Sequence, residues 1–414
     1  MRSIRIVKAL ALLTVVSVAS SAQAADERLS MFGYFRVSQG AQLSGNKGQQ
    51  TFYGLSGAPA KFRLGNENDW MEFGFNLLAF KGEDGTIGHA VIMLGGNYDP
   101  NHIGVWGTSF AGWEGNYSAK IQQLYVDLTK IPGLDATLWA GSKFYKREYS
   151  GINDLFYWSH QGYGAGIEDI AVGEKAKVSY AIMNAGSSDA HAGYLHDLRV
   201  KAGIIEGGSI QAGVMVVTPI AAKHDDLDVA FGGVVQYVQN VMGGNNQLAF
   251  EYGTGAVANG SFGANGGLEL SRPKEISKMR VIDNLNINPM PGLNLEVVGI
   301  YEMNKDSDAD VTVTAIEFGG RVTYAVAKHV QLLLEAGFDQ VTPDEGDAAN
   351  LIKITPAIEI CSNPGGVPRI RLYATYATWN DAAKGSVKGG ASGIGPRPDD
   401  SNGLQIGIQG EAWF

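Results

Sequence analysis

The chain has 414 residues, 42 acidic and 32 basic, and a formal net charge of -10, so it lacks the basic face that phosphate backbones need and nucleic acid is not an expected partner. Its single cysteine, Cys361, excludes an internal disulfide. The 56 glycines and 17 tyrosines suit a protein of many turns and aromatic girdles.

The first residues read as a processing signal. Arg2, Arg5 and Lys8 precede an apolar run at 9–19, and Ala22-Gln23-Ala24 forms a small-residue cleavage site. The expected domains are a signal peptide at 1–24 and one mature domain at 25–414. Losing three cations takes the net charge from -10 to -13. Beyond the signal no run of about 18 apolar residues occurs, which excludes a helical membrane span. A barrel is not excluded, because each of its strands needs only about 9–11 half-polar residues.

The rest of the chain alternates with period two. In 32–38, Tyr34, Arg36 and Ser38 share one face and Phe35 and Val37 the other. In 70–77, Trp70 sits with Glu72 and Asn76. From Leu293 to Met303 the odd positions are mostly apolar, and from Val330 to Phe338 the even ones are. Ile352, Ile354, Ile358 and Ile360 oppose Lys353, Thr355 and Glu359, with Pro356 predicting a local irregularity because it cannot donate to a ladder. In 369–379, Trp379 shares a face with Arg369, Arg371 and Thr375. At the end of the chain, Gln405, Gln409, Glu411 and Trp413 oppose Leu404, Ile406 and Ile408.

Tight breakers at 130–133, 288–292 and 363–366 alternate with long polar stretches at 39–60, 184–194, 252–272 and 380–403. Short turns on one rim and long loops on the other predict an all-β fold. Its form is a transmembrane antiparallel β-barrel of about 18 strands, with outer-membrane lipid against its apolar face. A soluble multi-sheet protein is the competing architecture.

Tyr34, Trp70, Trp379 and Trp413 all share a face with polar or charged neighbours. A pyranose has an apolar face that can lie on an aromatic ring and a rim of hydroxyls that seek charged partners. A row of lumenal aromatics beside lumenal charges therefore predicts a carbohydrate path, although any one of these rings would also serve as a girdle residue. The alternatives are a general, unselective porin and an outer-membrane hydrolase. No Gly-x-Ser-x-Gly elbow supports the hydrolase.

Asp306, Asp308, Asp310 and Glu317 have the carboxylate spacing of a calcium loop, but Val311 occupies the position of its glycine. The six histidines from His102 to His329 show no His-x-x-x-His pair, and His160 and His191 are expected in loops. No metal or cofactor is expected.

Several blocks, in order, resemble the maltoporin (LamB-type) sugar porins. The most specific runs from Leu138-Trp139-Ala140-Gly141-Ser142-Lys143-Phe144-Tyr145 through Asp154-Leu155-Phe156-Tyr157-Trp158 to Gly164-Ala165-Gly166-Ile167-Glu168-Asp169-Ile170. Gly33-Tyr34-Phe35-Arg36, residues 61–67, 373–379 and Trp413-Phe414 also match.

The resemblance implies an 18-stranded barrel with an inward-folded third loop, a homotrimer, and mono- and oligosaccharide substrates. Such porins guide sugar along an aromatic slide beside a polar track. Tyr34, Trp70, Trp379 and Trp413 fall on slide positions, and Trp113 on that of a ring lent by a neighbouring subunit. Arg36, Arg63, Glu72, Lys120, Arg147 and Asp154 fall on the polar track. The sequence departs from the family at Tyr149, where an acid is usual, at Phe156, where a tyrosine is usual, and at Lys120, where an arginine is usual. The mid-chain slide phenylalanine corresponds to Leu248 or Phe250.

Overall fold

The computed structural model describes residues 28–44, 50–67, 69–98, 117–185, 193–219, 229–258, 261–262, 274–388 and 395–414. The expected signal peptide at 1–24, Trp113 and His191 lie outside these residues.

In chain order the strands are β1 (Leu29–Gln42), β2 (Gly54–Leu55), β3 (Trp70–Lys81), β4 (Ile87–Tyr98), β5 (Tyr117–Thr129), β6 (Thr137–Ser150) and β7 (Leu155–Val172). There follow β8 (Ala176–Ala185), β9 (Gly193–Ile205), β10 (Gly208–Pro219), β11 (Ala230–Val241), β12 (Gly244–Thr254), β13 (Ile276–Met290) and β14 (Leu293–Asp306). The last are β15 (Val311–Ala327), β16 (Val330–Thr342), β17 (Ala349–Cys361), β18 (Arg369–Trp379), β19 (Val387–Lys388) and β20 (Asn402–Trp413). Eighteen of them form one antiparallel sheet, which the β1–β20 pairing closes into a barrel. The two short strands, β2 and β19, pair separately and tie the first long connection to the last.

The alternation has the inside-out sense of a lipid-facing wall. On β17, Ile352, Ile354, Ile358 and Ile360 are 42–53% exposed, while Lys353, Thr355 and Glu359 are at most 3% exposed. Burying charge and exposing isoleucine makes sense only where the outside is apolar and the inside supplies partners. The ladder between β17 and β18 skips Thr355 and Pro356, so the proline sits where no donor is required.

Two segments turn into the lumen. The first is the hairpin of β6 and β7. The wall pairs β6 to β5 only over Leu138–Ser142, and β7 to β8 only from Gly164 onward. Between these points the two strands pair with each other and leave the wall. Their tip crosses the barrel: Tyr157 Oη donates to Gln236 on β11 at 2.6 Å, and Asn153 Nδ2 donates to Glu317 on β15 at 3.4 Å. Trp158 is wholly buried, and a side chain at Gly213 on β10 would collide with its ring at 2.3 Å. The hairpin thus covers an apolar inner wall that includes Met183, Leu195, Met215, Val234 and Ile282.

The second inward segment is residues 50–67, of which 50–60 belong to the stretch 39–60 expected as a long loop. Asn66 organises it, its amide accepting from Tyr53 N and donating to the carbonyls of Tyr53 and Phe62. Phe62 lies over Gly319 and Gly337, where an added Cβ would stand 2.4 and 2.0 Å from the ring. Only glycine at both places lets the ring approach the wall.

Two sequence expectations are corrected, and one carboxylate spacing is resolved. His160 lies within β7, fully buried, with Nε2 2.5 Å from Asp197 Oδ2, because the strand continues through the inward hairpin. Leu248 and Phe250 point outward, 46% and 47% exposed, because the inward parity of β12 belongs to Ala249 and Glu251. The aspartates of the calcium-like spacing do not converge with Glu317. Asp306 caps its own turn through Asp308 N and Ala309 N, whereas Glu317 points into the lumen and accepts from Ala60 N.

Candidate functional site

The inward segments leave a cavity of about 970 Å³ against β3, β1 and β20. Register brings its aromatics together. Tyr34 on β1 stands opposite Glu72 on β3 and Trp413 on β20, and Arg36 stands opposite Trp70 and Glu411. Neighbouring strands lie about 4.8 Å apart, so the three rings occupy adjacent steps of one wall. Each ring has a polar anchor. Trp70 Nε1 donates to Glu72 at 3.0 Å, Tyr34 Oη donates to Glu411 at 2.9 Å, and the Arg369 guanidinium lies 4.4 Å from the Trp413 ring centre.

A buried ionic network fixes the polar side. Glu67 accepts from Arg36 at 2.7 Å, from Arg63 at 2.7 Å and from Gln409 at 2.8 Å. Arg63 also donates to Glu411 at 3.0 Å, and Arg371 pairs with Glu411 at 2.9 Å and with Glu359 at 2.7 Å. Removing one partner of such a buried pair leaves an uncompensated charge, at a cost of about 3–5 kcal/mol. Burial opposes ionisation of Glu67, but Arg63, Arg36, Arg371 and the Gln409 amide outweigh it and hold this carboxyl well below the usual carboxylate range.

The hairpin tip supplies the opposite wall. Asp154, in the left-handed region at φ 55°, accepts from Arg36 at 3.2 Å. Asp is one of the few residue types that tolerates this conformation. Tyr149 stacks on Phe156 with ring centres 5.0 Å apart. The Arg147 guanidinium sits 4.1 Å from the ring centre of Phe144 and 3.9 Å from that of Phe156.

Of the residues singled out in the sequence, Tyr34, Trp70, Trp413, Arg36 and Arg63 line the cavity, as do Glu72, Arg147, Tyr149, Asp154 and Phe156. Trp379 and Lys120 do not line it. Trp379 points inward but is 5% exposed; Tyr53 covers it at 6.1 Å and its Nε1 donates to Asp400 O at 2.6 Å. Lys120 is exposed, just before the bulge that disturbs β5. Sequence reasoning passed over Glu411, Arg371, Arg321 and Glu296 as site residues, yet all four line the cavity. Their inward parity was the available signal.

A smaller cavity of about 590 Å³ continues to the short-turn rim between residues 288–293 and 364–365, sharing Arg321, Arg369 and Arg371 with the first. Among the described residues no group of three or more His, Cys, Asp or Glu is arranged to hold a metal ion.

Residues 29–414 match the family model described as LamB porin. The chain belongs to the LamB porin family. It is 28% identical to a maltoporin of Vibrio cholerae serotype O1 over 92% of this chain and 94% of that protein. It is also 28% identical to a maltoporin of Hahella chejuensis over 71% of this chain and 72% of that one. In fold it is similar to Pseudomonas aeruginosa OpdQ, with a TM-score of 0.51 at 8% identity over 94% of this chain and 98% of that chain. The LamB-family chain is thus a channel of the bacterial outer membrane and not an enzyme. Its exposed isoleucines and leucines turn outward, and its cavity lies inside the barrel.

Proposed function

We propose that this porin passes saccharides by facilitated diffusion, with Trp70, Tyr34 and Trp413 guiding the apolar faces of the rings. Arg36, Arg63, Glu72, Arg147 and Asp154 exchange hydrogen bonds with the hydroxyls. The carrying observation is the placement of three anchored aromatics on neighbouring strands beside a dense set of ionised groups. A simple water-filled pore has no use for that pairing, whereas a sugar uses both halves. The similarity to maltoporins supports the same reading. Release requires that no single station bind strongly, and partial stacking on exposed rings meets that need. Trp379 belongs, in this reading, to the support of the long connections, against Tyr53 and Asp400. A homotrimer built through part of the apolar outer face completes the proposal.

Single-channel current across a planar bilayer, titrated with glucose, sucrose and malto-oligosaccharides, tests the function. Saturable block that tightens with chain length is expected. Conductance unaffected by every sugar would leave a general porin.

A further inference from the structure

Six arginines line the cavity, and they fall into two groups. Arg36, Arg63, Arg321 and Arg371 each donate to a carboxylate at 3.0 Å or less. Arg147 and Arg369 do not. The Arg147 guanidinium lies between the rings of Phe144 and Phe156, with no ion pair among the described residues and a buried Nε that has no acceptor. Arg369 stacks on Trp413, its nearest carboxylates are 3.6 and 3.8 Å away, and its Nε is also buried without an acceptor.

The carboxylates that could serve them are engaged elsewhere. Asp154 takes Arg36, Glu296 takes Arg321, Glu411 takes Tyr34, Arg63 and Arg371, and an oxygen of Glu72 takes the Trp70 indole. At Arg147 the two nearby rings, and the lack of a protein acceptor among the described residues, leave the terminal N–H edge of the guanidinium for a ligand. That edge matches a planar pair of anionic oxygens, and it stands in the same cavity as rings suited to a pyranose.

We propose that the cavity selects anionic saccharides, sugars that carry a carboxylate, over neutral ones of the same size. This rests on the sugar-path reading above and names its substrate class. Arg147 receives the carboxylate on the hairpin side of the cavity. Arg369 receives it next, beside Trp413, where the first cavity joins the one at the short-turn rim. The chain as a whole is acidic, with a net charge of -10, so long-range attraction does not favour an anion. The preference therefore comes from contact and shows in affinity rather than in arrival rate.

The test is single-channel block by a neutral glucose trimer, a size-matched uronate trimer and a glucose phosphate, at pH 7 and at low and high salt. The uronate is expected to bind about tenfold tighter than the neutral trimer at low salt, the ratio set by charge-assisted hydrogen bonds. That advantage should shrink as salt rises. Arg147→Gln is expected to collapse the ratio, lowering uronate affinity by a larger factor than neutral affinity. Arg147→Lys should restore part of the ratio and guard against a folding artefact. Preference for the phosphate over the uronate would overturn the carboxylate assignment. Equal or tighter binding of the neutral trimer would overturn the inference while leaving the sugar path intact. Channels that conduct salt yet respond to no sugar would overturn both.

Discussion

Along β8–β14 the inner wall carries an apolar patch, and the inward hairpin seals it with Trp158, Tyr157 and Ile152, all at most 1% exposed. Along β15–β18, β20, β1 and β3 the inner wall is charged, and residues 50–67 dock on it through the Arg36–Glu67 and Arg63–Glu411 ion pairs and the bond from Lys353 Nζ to the Leu64 carbonyl. Charge also occurs under the hairpin, where Arg199 pairs with Asp197 at 2.9 Å and Arg280 with Glu251 at 3.1 Å. Those four groups are at most 2% exposed. On the other side Tyr34, Trp70, Trp413, Arg147 and Glu72 keep one side open to the cavity. Lumenal polarity therefore does not mark a permeation path by itself. In the function proposed above, the path lies where polar and aromatic groups are anchored at one end and uncovered at the other.

The largest expected effect is on the sealed side. Trp158→Ala removes a fully buried ring that also stacks 3.7 Å from the Arg199 guanidinium. It should cost about 3–5 kcal/mol. The temperature at which the barrel unfolds on a gel should fall, and single-channel conductance should rise as the hairpin loosens. Unchanged values would mean that the hairpin does not depend on that seat.

On the charged side, Gly337→Ala should cost about 1–3 kcal/mol, because its Cβ would stand 2.0 Å from Phe62. Conductance should increase as residues 50–67 lift, and Phe62→Ala in the same chain should recover part of the lost stability.

Acid separates the two sides further. Glu67 has a depressed carboxyl, so its contribution is fully present above the ordinary value of 4.5 and is lost as pH falls below it. Channels held in that acid range should open residues 50–67, and Glu67→Gln should remove the part of the pH dependence that belongs to this group. An identical acid response in the variant would count against the network as the clamp.

The smallest effect on stability is expected at Trp413, which is 43% exposed. Trp413→Ala should leave the unfolding free energy within about 0.5 kcal/mol of the parent, while sugar affinity falls about tenfold. Equal sugar affinity would remove this ring from the path.

Most of the barrel was legible because alternation is a local property. A strand such as β17 states its two faces in a dozen consecutive residues. The same parity placed Tyr34, Trp70 and Trp413 beside charged neighbours, and the three do line the cavity. Parity fixes a face, but not height or cover. It put Trp379 on the lumenal face without revealing that Tyr53 would lie over it. Lys120 stands just before a bulge in β5, which breaks a count of alternate positions there.

The inward docking of residues 50–67 was not legible. Its determinants pair Phe62 with Gly319 and Gly337, and Leu64 with Glu335, across more than half the chain. Nothing in the local pattern of any one segment announces such a partner. Leu248 and Phe250 were the opposite case. Glu251 between outward Phe250 and Tyr252 already indicates which parity faces the lumen.

The most direct test of the account is a density map of the protein with a bound oligosaccharide. It should show sugar rings against Trp70, Tyr34 and Trp413, with their hydroxyl or carboxylate oxygens toward Arg147 and Arg36. Sugar seated under the hairpin against Trp139 and Tyr145, or no sugar in the lumen at saturating concentration, would contradict it.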